Sequence, residues 1–180
     1  MKKILLVVFI VLSMSSMSFG QRVLINKGDQ YLGAKLALGA VAGASIGYVA
    51  SYEMGYQENI GLGATVGYSG YSETAGYYDI SYSNILIMVN GNYHMDVLKN
   101  ENLDTWGTLS LGYNVQSASA TYSGPAAYKA FAGNWSGSAS SGLIIGLSAN
   151  ARYMLSEKLF ATASVGFGLG ILNVGIDYKL

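Results

Sequence analysis

The last nine residues, "LNVGIDYKL", alternate without a break. Leu172, Val174, Ile176, Tyr178 and Leu180 are apolar, and Asn173, Gly175, Asp177 and Lys179 between them are polar or small. A period of two puts one set on each face of a β-strand. An apolar strand running to the final residue is a liability in water, where exposed edges invite pairing with other chains. The same alternation recurs along the chain, so the fold is all-β and the open question is which solvent the apolar face meets.

Seven further segments carry the pattern. They fall near Tyr31–Val41, Ile46–Tyr56, Ile60–Ser69, Ile80–Met95, Asp104–Gln116, Leu143–Leu155 and Leu159–Leu169. The fourth is apolar on both faces at "ILIMV", and Asn90, Asn92 and His94 set its polar parity. Its inward set then includes Ile80, Tyr82, Leu86 and Met88, an apolar lining that could fill space opposite glycines or hold a small hydrophobic ligand. Strands of about ten residues match the 9–11 that a tilted strand needs to cross a bilayer. Short connections, "QEN" and "SEK", alternate with longer ones. "DVLKNENLD" reads as a turn holding Asp96, Lys99, Glu101 and Asp104, and Ser117–Gly142 reads as a long Gly/Ser/Ala loop.

The opening "MKKILLVVFIVLSMSSMSFGQ" reads as a secretory signal. Lys2 and Lys3 precede an apolar run, Ile4–Leu12, that is too short to span a bilayer. Ser18 and Gly20 place cleavage before Gln21. The expected organisation is a signal at 1–20, a short leader at 21–30 and one barrel domain at 31–180.

Charge decides between two barrels that share this pattern. A soluble barrel of the lipocalin kind buries its apolar face and shows the polar face to water, whereas a membrane barrel reverses both. Charged residues make up 11% of the chain against about 25% in ordinary globular proteins. The polar faces hold mostly Gly, Ser, Thr and Asn, with Lys35, Glu53, Arg152, Asp177 and Lys179 as their charges. That surface suits a lumen better than water. A net charge of zero also argues against nucleic acid, which requires a basic face.

The rings agree. With strand 1 running outward, Tyr56, Tyr93, Tyr153 and Tyr178 lie near the inner ends of strands, and Tyr48, Tyr68, Tyr113 and Phe167 near the outer ends. Two aromatic girdles bounding an apolar band are a membrane-interface signature. Strands in lipid must also close into a ring to satisfy their backbone.

With "NARYMLSEKLFATASVGFGLG" and "LNVGIDYKL" as its carriers, the mature chain resembles the small, porin-like eight-stranded outer-membrane β-barrels of Gram-negative bacteria, similar in form to OmpA transmembrane domains and OmpX. The resemblance implies an eight-stranded antiparallel up-and-down transmembrane barrel in the bacterial outer membrane, a monomer among lipids and lipopolysaccharide. It further implies delivery by periplasmic chaperones and recognition of the last strand by the barrel insertion machinery. Leu172, Val174, Ile176, Tyr178 and Leu180 fit that assembly signal, with Tyr178 third from the end and Leu180 in place of the usual Phe.

Function is less legible. An eight-stranded lumen is narrow enough for side chains to fill. Lys35 and Glu53 are expected at facing heights on strands 1 and 2, with Asp177, Lys179 and Arg152 completing an interior polar network that either plugs the lumen or lines a narrow path. The lone His94 has no positioned partners in the sequence that would make a triad. There is no Cys and no metal-ligand spacing. No catalytic residue, metal site or cofactor is therefore assigned, and the expected role is non-enzymatic, structural or adhesive. The candidate contact surface is the long loop with Tyr122, Tyr128, Lys129, Phe131 and Trp135, helped by Tyr71–Tyr78 and facing an extracellular ligand or lipopolysaccharide. The alternatives are a narrow channel, a carrier of small hydrophobic molecules, or a soluble lipocalin-like barrel.

Overall fold

The computed structural model describes residues 24–39 and 44–180. The expected signal, Gln21–Val23 of the leader and the far end of the expected first strand at Val41 lie outside them. Eight antiparallel strands form one closed ring in chain order: β1 (Gln30–Leu38), β2 (Ile46–Gln57), β3 (Ile60–Ala75), β4 (Tyr78–His94), β5 (Leu103–Tyr122), β6 (Trp135–Met154), β7 (Leu159–Phe167) and β8 (Leu172–Lys179). The last strand is not an edge. It pairs with β7 on one side and with β1 on the other, from Leu38 opposite Leu172 to Tyr31 opposite Lys179.

Parity decides the faces. Leu36, Val66, Ile87, Leu111, Ile145 and Val174 point outward and are exposed, while Thr65, Asn84, Asn92, Thr108, Arg152 and Asp177 point inward and are buried. An apolar exterior around a polar interior is stable only in lipid, which rules out the lipocalin-like alternative. All eight girdle residues face out: Tyr48, Tyr68, Tyr113 and Phe167 toward one rim, Tyr56, Tyr93, Tyr153 and Tyr178 toward the other.

The four central strands outrun the rest. Beyond the outward row Tyr68–Ile85–Val115, the same face turns to hydroxyls. Ser83, Ser117 and Ser138 form the next row, then Ser72, Ser81, Ser119 and Ser136. The lipid-facing band ends at that change of chemistry. Past it, β3–β6 continue as a projecting sheet, so most of the stretch expected to be a loop at 117–142 is strand, and the connection proper is only 123–134. Serine and alanine mask strand periodicity, because neither marks a face.

At the opposite rim the leader folds back. Ile25 is fully buried against Tyr31 and Phe160. The Gly28 amide donates to the Gly55 carbonyl, the Gly55 amide to the Asp29 carbonyl and the Asn59 amide to the Ile25 carbonyl. Gly55 is required there: a Cβ would lie 1.9 Å from the Asn26 carbonyl oxygen. Strand 7 stops at Phe167, short of the expected Leu169. Gly168, at φ +109°, turns the chain and swings Leu169 into the lumen over Gly67.

Candidate functional site

Two places concentrate chemistry: the lumen and the projecting sheet. In the lumen, four ionisable side chains form a closed ring. Asp104 on β5 lies directly across from Arg152 on β6, and His94 on β4 is one step further round, opposite Trp106. Glu53 reaches in from β2, on the opposite wall. Its Oε2 accepts from Arg152 Nη1 at 3.0 Å and its Oε1 faces His94 Nε2 at 2.9 Å. His94 Nδ1 lies 2.8 Å from Asp104 Oδ1, and Arg152 Nη2 makes a close ion pair with Asp104 Oδ2 at 2.7 Å. Each imidazole nitrogen faces a carboxylate oxygen, so both donate and the ring carries a positive charge. Two anions then meet two cations and the quartet is neutral, the arrangement that makes buried charge tolerable.

The surroundings hold this ring in place. Arg152, 1% exposed, lies over the Tyr31 ring at 3.6 Å, and Trp106 stacks on His94. Asn92 donates to Glu53 Oε1 and accepts from Thr108. Gly61 leaves room for the Glu53 carboxylate, since a Cβ there would sit 2.3 Å from Oε1. With both nitrogens engaged, His94 has none free to take a proton from a serine. Among the described residues no acidic, His or Cys cluster has the geometry to hold a metal.

Above the quartet is a cavity of about 80 Å³ lined by Lys35, Ser51, Thr65, Asn90, Asn173 and Asp177, sized for a few waters and too small for a sugar or acyl chain. Met88 and Leu169 also line this cavity, and Leu86 and Leu169 bound a second space of only about 10 Å³ against the wall of β1–β3, so apolar side chains narrow the lumen there. The apolar inward set of strand 4 thus splits. Leu86 and Met88 fill the barrel, whereas Ile80 and Tyr82 lie on the projection.

The five predicted lumen charges do not form one network. Glu53 and Arg152 belong to the quartet. Lys35 lies opposite Val49, four residues above the Tyr31–Glu53 pair, so Lys35 and Glu53 are not at facing heights. Lys35 instead approaches Asp177 at 3.5 Å across the β1–β8 seam. Lys179 leaves the lumen for Asp29 of the leader, at 2.9 Å. Two members of the quartet were missed. Asp104 reads as a turn residue and His94 as solitary, although each shares the inward parity of its strand: Asp104 with Trp106 and Thr108, His94 with Asn92 and Asn90. His94 already stands on the inward parity read from the sequence, and carrying the parity of β5 four residues back from Thr108 reaches Asp104; their meeting is what the pattern lacks.

On the projecting sheet the inner face is aromatic. Tyr71 and Tyr82 stack with centroids 4.7 Å apart, and Tyr78 meets Tyr122 edge-on at 5.5 Å. Of the predicted contact residues, Tyr122 ends β5, Trp135 begins β6, and Tyr128, Lys129 and Phe131 lie in the connection between them. No described strand pairs with the outer edge of β6 from Trp135 to Gly146.

Closed ring, lipid-facing band and filled lumen together settle the architecture. The fold is that of an eight-stranded transmembrane β-barrel. No protein-family model matches the chain, and no curated protein does. Solved structures do. The N-terminal β-barrel domain of Pseudomonas aeruginosa OprF matches with a TM-score of 0.56 at 13% identity, over 86% of this chain and 98% of that one. A designed transmembrane barrel matches with the same TM-score, identity and coverage. Ail, the attachment invasion locus protein of Yersinia pestis, matches with a TM-score of 0.51 at 12% identity, over 87% of this chain and all of that one. At such identities the likeness is one of fold.

Proposed function

We propose that the chain is a monomeric, non-enzymatic protein of the bacterial outer membrane, in which the barrel is an anchor and the projecting β3–β6 sheet makes contact at the cell surface. The observation that carries this reading is the contrast between the two sites: the lumen is filled by a buried charged quartet and by Leu86 and Met88, while the sheet extends aromatic side chains and an edge of β6 that no described strand pairs beyond the lipid band. A sheet edge can bind an extended partner through its backbone groups. The attachment role in the name of Ail points the same way. Export by the segment at 1–20, delivery by periplasmic chaperones and insertion through the β8 pattern complete the proposal, with lipopolysaccharide as the lipid around the serine-faced rows.

The reading is tested first by the mobility of unboiled and boiled protein from an outer-membrane fraction on SDS gels. A heat-dependent shift in that fraction supports it, and unshifted periplasmic protein refutes it. Replacing 124–134 by a short turn should then leave the shift intact and abolish attachment of expressing cells to a surface. Undiminished attachment would remove the contact role.

A further inference from the structure

The outermost described part of the molecule is the connection between β5 and β6. Counting from the last lipid-facing row at Val115, β5 runs seven residues to Tyr122. At about 3.3 Å per residue and a tilt near 40°, that lifts the tip roughly 18 Å above the band. The tip is structured. Pro125 leads into a single 3-10 turn, Ala126–Tyr128. The amides of Phe131 and Ala132 donate to the Tyr128 carbonyl, and the Tyr122 amide donates to Asn134 Oδ1.

Its chemistry is unusual for a water-exposed turn. Phe131 is 90% exposed and Tyr128 63%, with Ala126, Ala127 and Ala130 exposed around them. Lys129 is the one charge on the tip, and no acidic residue occurs anywhere between Asp104 and Glu157. The companion β3–β4 hairpin, by contrast, carries Glu73 and Asp79. A contiguous exposed apolar patch marks an interaction site. This one combines an almost fully exposed Phe, an amphipathic Tyr and a Lys whose long stem can reach phosphates. That is the composition of segments that rest in the interfacial layer of a bilayer.

We propose that the β5–β6 tip inserts into the surface of an apposed lipid bilayer, with Phe131 and Tyr128 entering the interface and Lys129 facing anionic headgroups. This rests on the reading of the projecting sheet as the contact element and names its partner. An acidic-free hairpin bearing one cation is matched to an anionic or zwitterionic surface, and a second membrane is the surface that a projection pointing away from the first would meet.

The test uses the whole mature protein in nanodiscs, mixed with sedimentable vesicles of phosphatidylcholine and phosphatidylserine. The wild type should pellet with the vesicles. Phe131→Asp should lower the bound fraction at least about tenfold, the loss expected when one aromatic no longer leaves water. Lys129→Glu should weaken binding several-fold on the anionic vesicles and little on phosphatidylcholine alone. In a Phe131→Trp variant, the added fluorescence should shift to the blue and be quenched by brominated lipid. Both positions are exposed, and the heat-dependent gel shift verifies the fold of each variant. Wild-type binding no greater than that of the tip-deleted protein, or unchanged binding by Phe131→Asp, overturns the proposal. Tip-dependent attachment of cells to protein-coated surfaces without vesicle binding overturns the lipid partner and leaves the contact role standing. Failure of both removes both.

Discussion

Replacing Arg152 with Met is the perturbation whose outcome follows most directly from the geometry. The guanidinium bridges opposite walls, 3.0 Å from Glu53 Oε2 and 2.7 Å from Asp104 Oδ2. Met fills similar volume without charge. Two carboxylates then share His94 as their single cation, leaving one uncompensated negative charge in a nearly closed space. Removing one partner of a buried pair costs about 3–5 kcal/mol. Adding Glu53→Gln restores neutrality, because one anion and one cation remain. The double variant should therefore be more stable than Arg152→Met alone by about 2 kcal/mol, a coupling within the range of contacting residues. The assay is reversible urea unfolding in detergent micelles, followed by the fraction that migrates as folded on unboiled gels. A cost below about 1 kcal/mol for Arg152→Met, as at an exposed pair, would refute the buried quartet. So would further loss in the double variant.

The remaining expectations concern the rim and the lumen. Gly55→Ala should displace the leader, because the new Cβ would collide with the Asn26 carbonyl. The expected cost is about 1–3 kcal/mol, with loss of hydrogen-exchange protection at the Gly28 and Asn59 amides; protection equal to wild type would contradict the packing. At Asp29, partial burial opposes ionisation, but hydrogen bonds from Lys179 and the Asn26 backbone outweigh it and hold the carboxyl below its ordinary range. A depressed carboxyl stabilises the folded form above its unfolded pKa and loses that contribution as pH falls through the folded value. The protection factor at Gly28 should thus hold at neutral pH and fall only in acid below about pH 4; a decline between pH 8 and 6 would assign the clamp to another group. In planar bilayers, wild type and Arg152→Ala should both stay at baseline conductance, since the buried Leu86 and Met88 still fill the barrel interior above the quartet. Steady current through Arg152→Ala would show that the apolar layer is no barrier.

Much of this protein is written locally. Alternation assigns each strand residue to lipid or lumen, because successive side chains point to opposite faces whatever the sheet does next. The same parity places the girdle tyrosines outside and Glu53, Arg152 and Asp177 inside. Where small hydroxyl and methyl side chains occupy both faces, as from Ser117 to Gly142, the periodicity carries no signal, and the outer ends of β5 and β6 are not legible as strand.

What no local pattern contains is who meets whom across the lumen. Arg152 and Glu53 are 99 residues apart on opposite walls, and their contact depends on the stagger accumulated around the closed ring. Lys35 finds Asp177 and not Glu53 for the same reason: height in a tilted barrel is set by register at every seam. The leader is a second case. Nothing in "LINKGD" announces that Ile25 will be fully buried, because its partners Tyr31 and Phe160 come together at one rim only when β8 closes between β7 and β1. Sequence alone determined the faces of this barrel, and closure decided its interior.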